Sequence, residues 1–134
     1  MKNVLNAIVQ AYYNILIGSS ITLPIYDGMA PNTELGSYVL IGDRNAQQTD
    51  DKCGYTWNVQ ITVDVVIKNG SFGFLDSDTI AEQVGALINT QLNPTMTDFQ
   101  AITTKANMSS LPGLNPTEPT FRTLTRYSHL ISQK

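Results

Sequence analysis

The stretch Tyr55–Lys68, YTWNVQITVDVVIK, decides the fold. Tyr55, Trp57, Val59, Ile61, Val63, Val65 and Ile67 are apolar. Between them stand Thr56, Asn58, Gln60, Thr62, Asp64, Val66 and Lys68, polar except for Val66. A period of two places alternate residues on opposite faces of a β-strand. β-Branched and aromatic side chains suit such a pleated, half-buried surface. At ~3.3 Å per residue the run spans ~45 Å, longer than an ordinary strand. One face is therefore predicted to lie on a core and the other to be wet. Thr, Asn and Gln in place of Lys and Glu point to a wet face that meets another surface. A solvated antiparallel sheet is the plainer alternative.

Working outward, the residues before this strand predict a helix over Asn3–Ile17. Val4, Leu5, Ile8, Ala11, Tyr12, Ile15 and Leu16 recur at helical spacing. Asn3 is placed to cap it, and Gly18 to take a left-handed position past its end. Its polar face is Asn and Gln, not Lys and Arg, which disfavours a membrane-surface helix. Ile21–Asp27 reads as a short extended segment, which Pro24 makes an edge strand or a strand start. Ser37–Ile41 (SYVLI) reads as a buried strand that Gly42-Asp43 ends, and Arg44–Gly54 reads as a polar loop.

After the long strand, Asn69-Gly70 signals a tight turn. A second helix is predicted over Asp78–Leu92, capped by Asp76 or Ser77, with Ile80, Val84, Leu87, Ile88 and Leu92 as its stripe. Asn93-Pro94 is expected to stop it. Asp98–Met108 reads as a strand, and Leu111–Pro119 as a loop with four helix- and strand-breaking residues. Thr120–Ile131 reads as a final strand of mixed pattern. No βαβ alternation appears, so the prediction is one α+β domain, residues 1–134. It has a mostly antiparallel sheet with two helices packed on one face. Trp57, Val59, Ile61, Val63 and Val65 are expected to pack on Ile8, Tyr12, Ile15, Val84, Leu87 and Ile88.

At 134 residues the chain is long enough for one real core. Charged residues are only 14% of it, against ~25% in a typical soluble domain. Thr, Asn, Ser and Gln fill the difference, a composition suited to burial in an assembly. The net charge of −3 argues against tight phosphate binding, though not against a channel that lets DNA pass. No apolar run is long enough to span a bilayer, and the N-terminal pattern predicts no secretory leader.

Candidate chemistry is sparse. Cys53 is the lone cysteine, so no intrachain disulfide or multi-cysteine zinc site is available. The carboxylates Asp43, Asp50 and Asp51 lack the alternating ligands, turn glycine and closing Glu of a calcium loop. They are read as a solvated loop. The glycines around Phe72 do not form a phosphate loop. His129, the only histidine, has no nucleophile in a recognisable elbow, and is read as packed or solvated. The sequence predicts no catalytic residue, metal site or cofactor.

Three features together resemble the tail-completion or tail-terminator proteins of tailed bacteriophages. The first is the N-terminal helix followed by Leu23-Pro24-Ile25-Tyr26-Asp27. The second is Ser37-Tyr38-Val39-Leu40-Ile41-Gly42-Asp43, similar to that family's P-Y-V-x-I-G strand with Ser37 in place of proline. The third is the alternating strand, introduced by Gly54-Tyr55 and leading through a turn to the second helix, with a threonine-rich aromatic strand at the end. The turn Lys68-Asn69-Gly70-Ser71 departs from the family by lacking arginine. The resemblance spans nearly the whole chain. It implies a non-enzymatic virion protein, assembled in the host cytoplasm into a ring of identical subunits. That ring, a hexamer or a dodecamer, sits at the neck, head–tail junction or tail end. It implies contacts with adjacent connector and tail proteins, DNA that passes without being tightly bound, and no membrane. A small enzyme or ligand-binding domain of α+β type is the alternative.

Two sets of residues are the assembly or channel-facing candidates. One is the polar row Thr56, Asn58, Gln60, Thr62 and Asp64, which suits either a channel wall or a subunit interface. Asp64→Arg is the substitution expected to separate the two. The other is Leu111, Pro112, Leu114 and Pro116 in a loop too long for a tight domain unless it reaches a neighbour.

Overall fold

The computed structural model describes residues 3–21, 23–28, 37–49, 56–68, 74–112 and 120–133. Helix α1 (Val4–Ile17) is followed by strands β1 (Ile25–Asp27), β2 (Tyr38–Gln48) and β3 (Thr56–Lys68). Helix α2 (Phe74–Thr95) and strands β4 (Phe99–Pro112) and β5 (Thr120–Gln133) complete the chain. The five strands form one sheet in the order β1-β2-β3-β5-β4. Every pairing is antiparallel except β1 with β2. The fold is α+β. Helix α1 lies over β1 and β2, α2 lies over β3, β5 and β4, and the helices pack on each other.

The core face of the long strand is as its alternation predicts. Trp57, Val59, Ile61, Val63 and Val65 join Ile8, Tyr12, Ile15, Val84 and Ile88 in one buried core, with Leu87 packed at its margin. Helix α1 starts at its expected cap, where the Asn3 side chain accepts a hydrogen bond from the Asn6 amide at 3.2 Å. Its end differs from expectation. Gly18 has φ −84° and is not left-handed; its amide donates to the Asn14 carbonyl at 3.2 Å, and the Ser19 hydroxyl donates to the Leu16 carbonyl at 2.6 Å.

Helix α2 is longer than predicted at both ends. Asp76 stands in its first turn rather than at its cap, where a carboxylate still complements the helix dipole. Pro94 lies within the last turn. A proline there forfeits one backbone bond, but the Met96 amide still donates to the Leu92 carbonyl at 3.1 Å, so the turn closes.

The largest correction concerns residues 44–48. They are strand, not loop. Gly42-Asp43 does not end β2 but forms a bulge: Ile41 pairs opposite Val63, Arg44 opposite Ile61, and two residues face Thr62 alone. The bulge re-phases the strand, so a polar run with no alternation of its own continues the ladder against β3. Asp50, Asp51 and Cys53 lie outside the described residues. Gly42 is needed for its lack of a side chain. A Cβ there would stand 2.7 Å from Thr62 Oγ1, which donates to the Asp43 carbonyl at 3.1 Å. Gly42→Ala is expected to cost about 1–3 kcal/mol through this overlap, read as a lower midpoint with unchanged slope in urea unfolding. An unchanged midpoint would remove this reason for the glycine.

Candidate assembly surface

The helices cover one face of the sheet and leave the other bare. On the bare face β3 presents the even-numbered row from Thr56 to Lys68. The register places Ser132, Leu130, Ser128, Arg126, Leu124, Arg122 and Thr120 of β5 beside it. On the far side of β5 the same face receives Thr103, Lys105, Asn107 and Ser109 of β4.

The polar row is not uniformly wet. Asn58 and Gln60 are exposed, but Thr56, Thr62 and Asp64 are 6%, 8% and 6% exposed. Thr62 is drawn in by the bulge. Asp64 is held by Arg122, whose Nη2 and Nε donate to Oδ2 at 2.5 and 3.1 Å. That hydrogen bond holds the Arg122 guanidinium in its charged form, against the opposing effect of partial burial. Taken alone, the β3 row Thr56, Asn58, Gln60, Thr62 and Asp64 carries one carboxylate and no arginine. β5 sets Arg122 and the exposed Arg126 beside it, and β4 adds the exposed Lys105. Parity arguments follow one strand and do not see charges that neighbouring strands contribute.

Asp64→Arg therefore does not separate a channel from an interface. It sets two guanidiniums together at a buried position and tests the fold first. The exposed members, Asn58, Gln60, Arg126 and Lys105, are the side chains that can meet a partner. Shallow hollows of about 310 and 320 Å³ lie on this face, one beside Asp43, Gln60 and Arg126, the other beside Asn58, Lys105 and Ser128. Of the loop candidates, Leu111 and Pro112 belong to β4, opposite Arg122 and Phe121. Leu114 and Pro116 lie outside the described residues.

On the helix side, β5 buries polar groups that its mixed pattern had left unassigned. Thr123 donates to Asp78 at 2.6 Å and lies 2.9 Å from the Ser77 hydroxyl. His129 is 2% exposed. Its Nε2 is hydrogen-bonded to the Tyr12 hydroxyl, and its Nδ1 lies 3.0 Å from Thr104 Oγ1. Burial pushes the imidazole down to about 4, opposed by a bond to the Thr103 backbone. Burial raises the Tyr12 phenol well above its ordinary range, helped by neighbouring Tyr127, and raises Tyr127 to about 12. The Thr104–His129–Tyr12 chain looks superficially like a nucleophile and its base. Yet a general base works best with a pKa near the working pH, and this ring is sealed in the core. Its geometry instead ties α1, β5 and β4 together.

A cleft of about 580 Å³ runs between α1 and β1 beside Tyr13, Asn14 and Tyr26. Its one carboxylate, Asp27, is bonded to Arg44 at 2.6 Å. Among the described residues no three of His, Cys, Asp and Glu converge as metal ligands, and no helix is long and apolar enough to cross a membrane.

No protein-family model and no curated protein matches the sequence. Among solved structures, the chain is similar to one from the virion of a native gene transfer agent particle. The TM-score is 0.70 and the sequence identity 15%, over 98% of this chain and 99% of that one. A likeness at that identity is one of fold, and it extends from end to end of both chains.

Proposed function

We propose that the protein is a structural component of a phage-like particle, assembling as a homo-oligomeric ring at the head–tail junction or tail end in the manner of a tail terminator. The observation that carries this is the end-to-end fold match to a virion chain, with almost nothing left over on either side. The sequence resemblance to tail-completion proteins supports it independently, as do the low charge content and the polar uncovered sheet face. The reading is non-enzymatic: the one histidine serves as packing between elements. Adjacent connector and tail proteins are the partners in this reading, and DNA passes the ring without being gripped.

Light scattering after size exclusion, with negative-stain microscopy of the same fractions, tests it. Discrete rings of six or twelve subunits are expected. A monomer at every concentration would overturn the assembly. The segment that links β4 to β5, with Leu114 and Pro116, is read as reaching a neighbouring subunit. Replacing residues 114–119 by Asn-Gly should close the hairpin with a two-residue turn. The monomer then stays folded and rings fail to form. Intact rings would show that the segment is not needed for contact.

A further inference from the structure

Among the described residues strand β4 is an outer strand of the sheet, and it lacks most of what soluble proteins use to blunt such an edge. Monomeric proteins protect edges with lysines, prolines, bulges or very short strands. β4 runs for 14 residues. Its bulge, between Ala101 and Thr103, comes at the start and leaves Thr103–Pro112 in regular register. Every residue from 102 to 110 is exposed, and Lys105 is the single charge among them. Ile102 and Met108 are 56% and 49% exposed. The bulge is fixed rather than frayed: the Asn93 side chain accepts from the Ala101 amide at 2.7 Å and donates to its carbonyl at 3.2 Å. Beyond the bulge the strand stays in continuous register with β5 from Thr103 to Pro112.

At the opposite end of the sheet, part of the β2 edge is uncovered among the described residues. β1 pairs only with Val39–Ile41 of β2. Among the described residues no strand lies outside Arg44–Gln48. Asp43, exposed, stands where this open run begins, beside Thr62 and Gln60 of the uncovered face. The charge of Arg44 in this run is balanced by Asp27, bonded to it at 2.6 Å, so Lys105 marks one edge and Asp43 the start of the other.

We propose that the β4 edge of one copy adds to the Arg44–Gln48 edge of β2 in the next copy, with Lys105 brought toward Asp43 across the joint. This rests on the ring assembly proposed above and names the surfaces that make it. Edge addition supplies backbone hydrogen bonds along the strands. Because the two edges are different surfaces, the contact is heterologous, and a heterologous contact that closes makes a ring.

The test is disulfide trapping in the full chain with Cys53→Ser, so that only introduced thiols react. Asp43→Cys with Lys105→Cys should give, on oxidation, a ladder of covalent dimers, trimers and higher species up to ring size. Each single substitution alone should stay monomeric on a denaturing gel. A dimer from Lys105→Cys alone would mean that two β4 edges pair symmetrically, and would overturn the inference. Rings seen by light scattering that give no ladder would overturn the edge contact while leaving the ring reading intact. A monomer by both measures would overturn both. A charge swap gives a second reading: Lys105→Asp should lower the ring fraction at least tenfold, and adding Asp43→Lys should restore it. Unchanged assembly in the single variant would count against the joint.

Discussion

Ile61→Ala is expected to destabilise the protein by about 2–5 kcal/mol, the range for truncating a fully buried large aliphatic side chain. Ile61 is 0% exposed at the centre of β3, in a core that both helices share. Its strand partners are Arg44 on one side and Tyr127 on the other. Tyr127 is itself 2% exposed and packs edge-on against Tyr12, with ring centroids 5.9 Å apart. A cavity beneath such rigid rings collapses poorly, which places the cost toward the upper end. Reversible urea unfolding measures it. A loss below about 0.5 kcal/mol would mean that Ile61 does not sit in the core.

That position was legible because the odd-numbered residues of β3 obey one rule along its whole length. Strict alternation assigns a face to each residue, and the buried face of β3 follows it from Trp57 to Ile67. β2 was legible only to Ile41. Beyond it, one extra residue at the bulge inverts the phase, and the run Arg44–Gln48 has no apolar residues but Ala46 to announce a strand. A bulge is a property of two strands and has no signature in one. β4 was underestimated for a related reason: it is an outer strand with exposed residues on both faces from 102 to 110, so no alternation is imposed on it. Its pairing with β5 extends it to Pro112.

The uncovered face was half legible. Asn58 and Gln60 are exposed as expected, whereas Asp64 is buried by a partner 58 residues away in sequence. Arg122 could have been sought as that partner, since a carboxylate in the middle of a predicted strand calls for a cation from a neighbour. Which neighbour depends on strand order, and strand order is set by how the helices cover the sheet. The unguarded β4 edge was likewise invisible until β4 was seen to be outermost.

His129 makes the second large prediction: stability should fall by about 3 kcal/mol between pH 7 and pH 4 through this one group. The folded protein holds the imidazole at about 4 because burial disfavours its charged form, while the unfolded chain protonates it near the ordinary value of about 6.5. Between those two values the unfolded state binds the extra proton. The contribution is therefore fully present above about pH 6.5 and is lost as pH falls toward 4. The hydrogen bonds say why the neutral ring is the one that fits. A neutral imidazole with its proton on Nδ1 accepts from the Tyr12 hydroxyl at Nε2 and donates from Nδ1 toward Thr104. A protonated ring presents N–H at both positions, and the buried Tyr12 hydroxyl must then turn its own proton away from the ring. The groups around the ring are hydroxyls, a backbone bond and the Tyr127 ring, stacked at 6.2 Å. Because His129 is the only histidine, its Cε1–H resonance can be followed through a proton NMR titration without assignment. A midpoint near 4 is expected, and one near 6.5 would show that the ring is not sealed. In urea unfolding, His129→Leu should flatten the pH dependence between 7 and 4 by about 3 kcal/mol whatever it does to stability at pH 7. An unchanged slope would mean that acid sensitivity comes from other groups and that the Tyr12–His129–Thr104 tie does not set it.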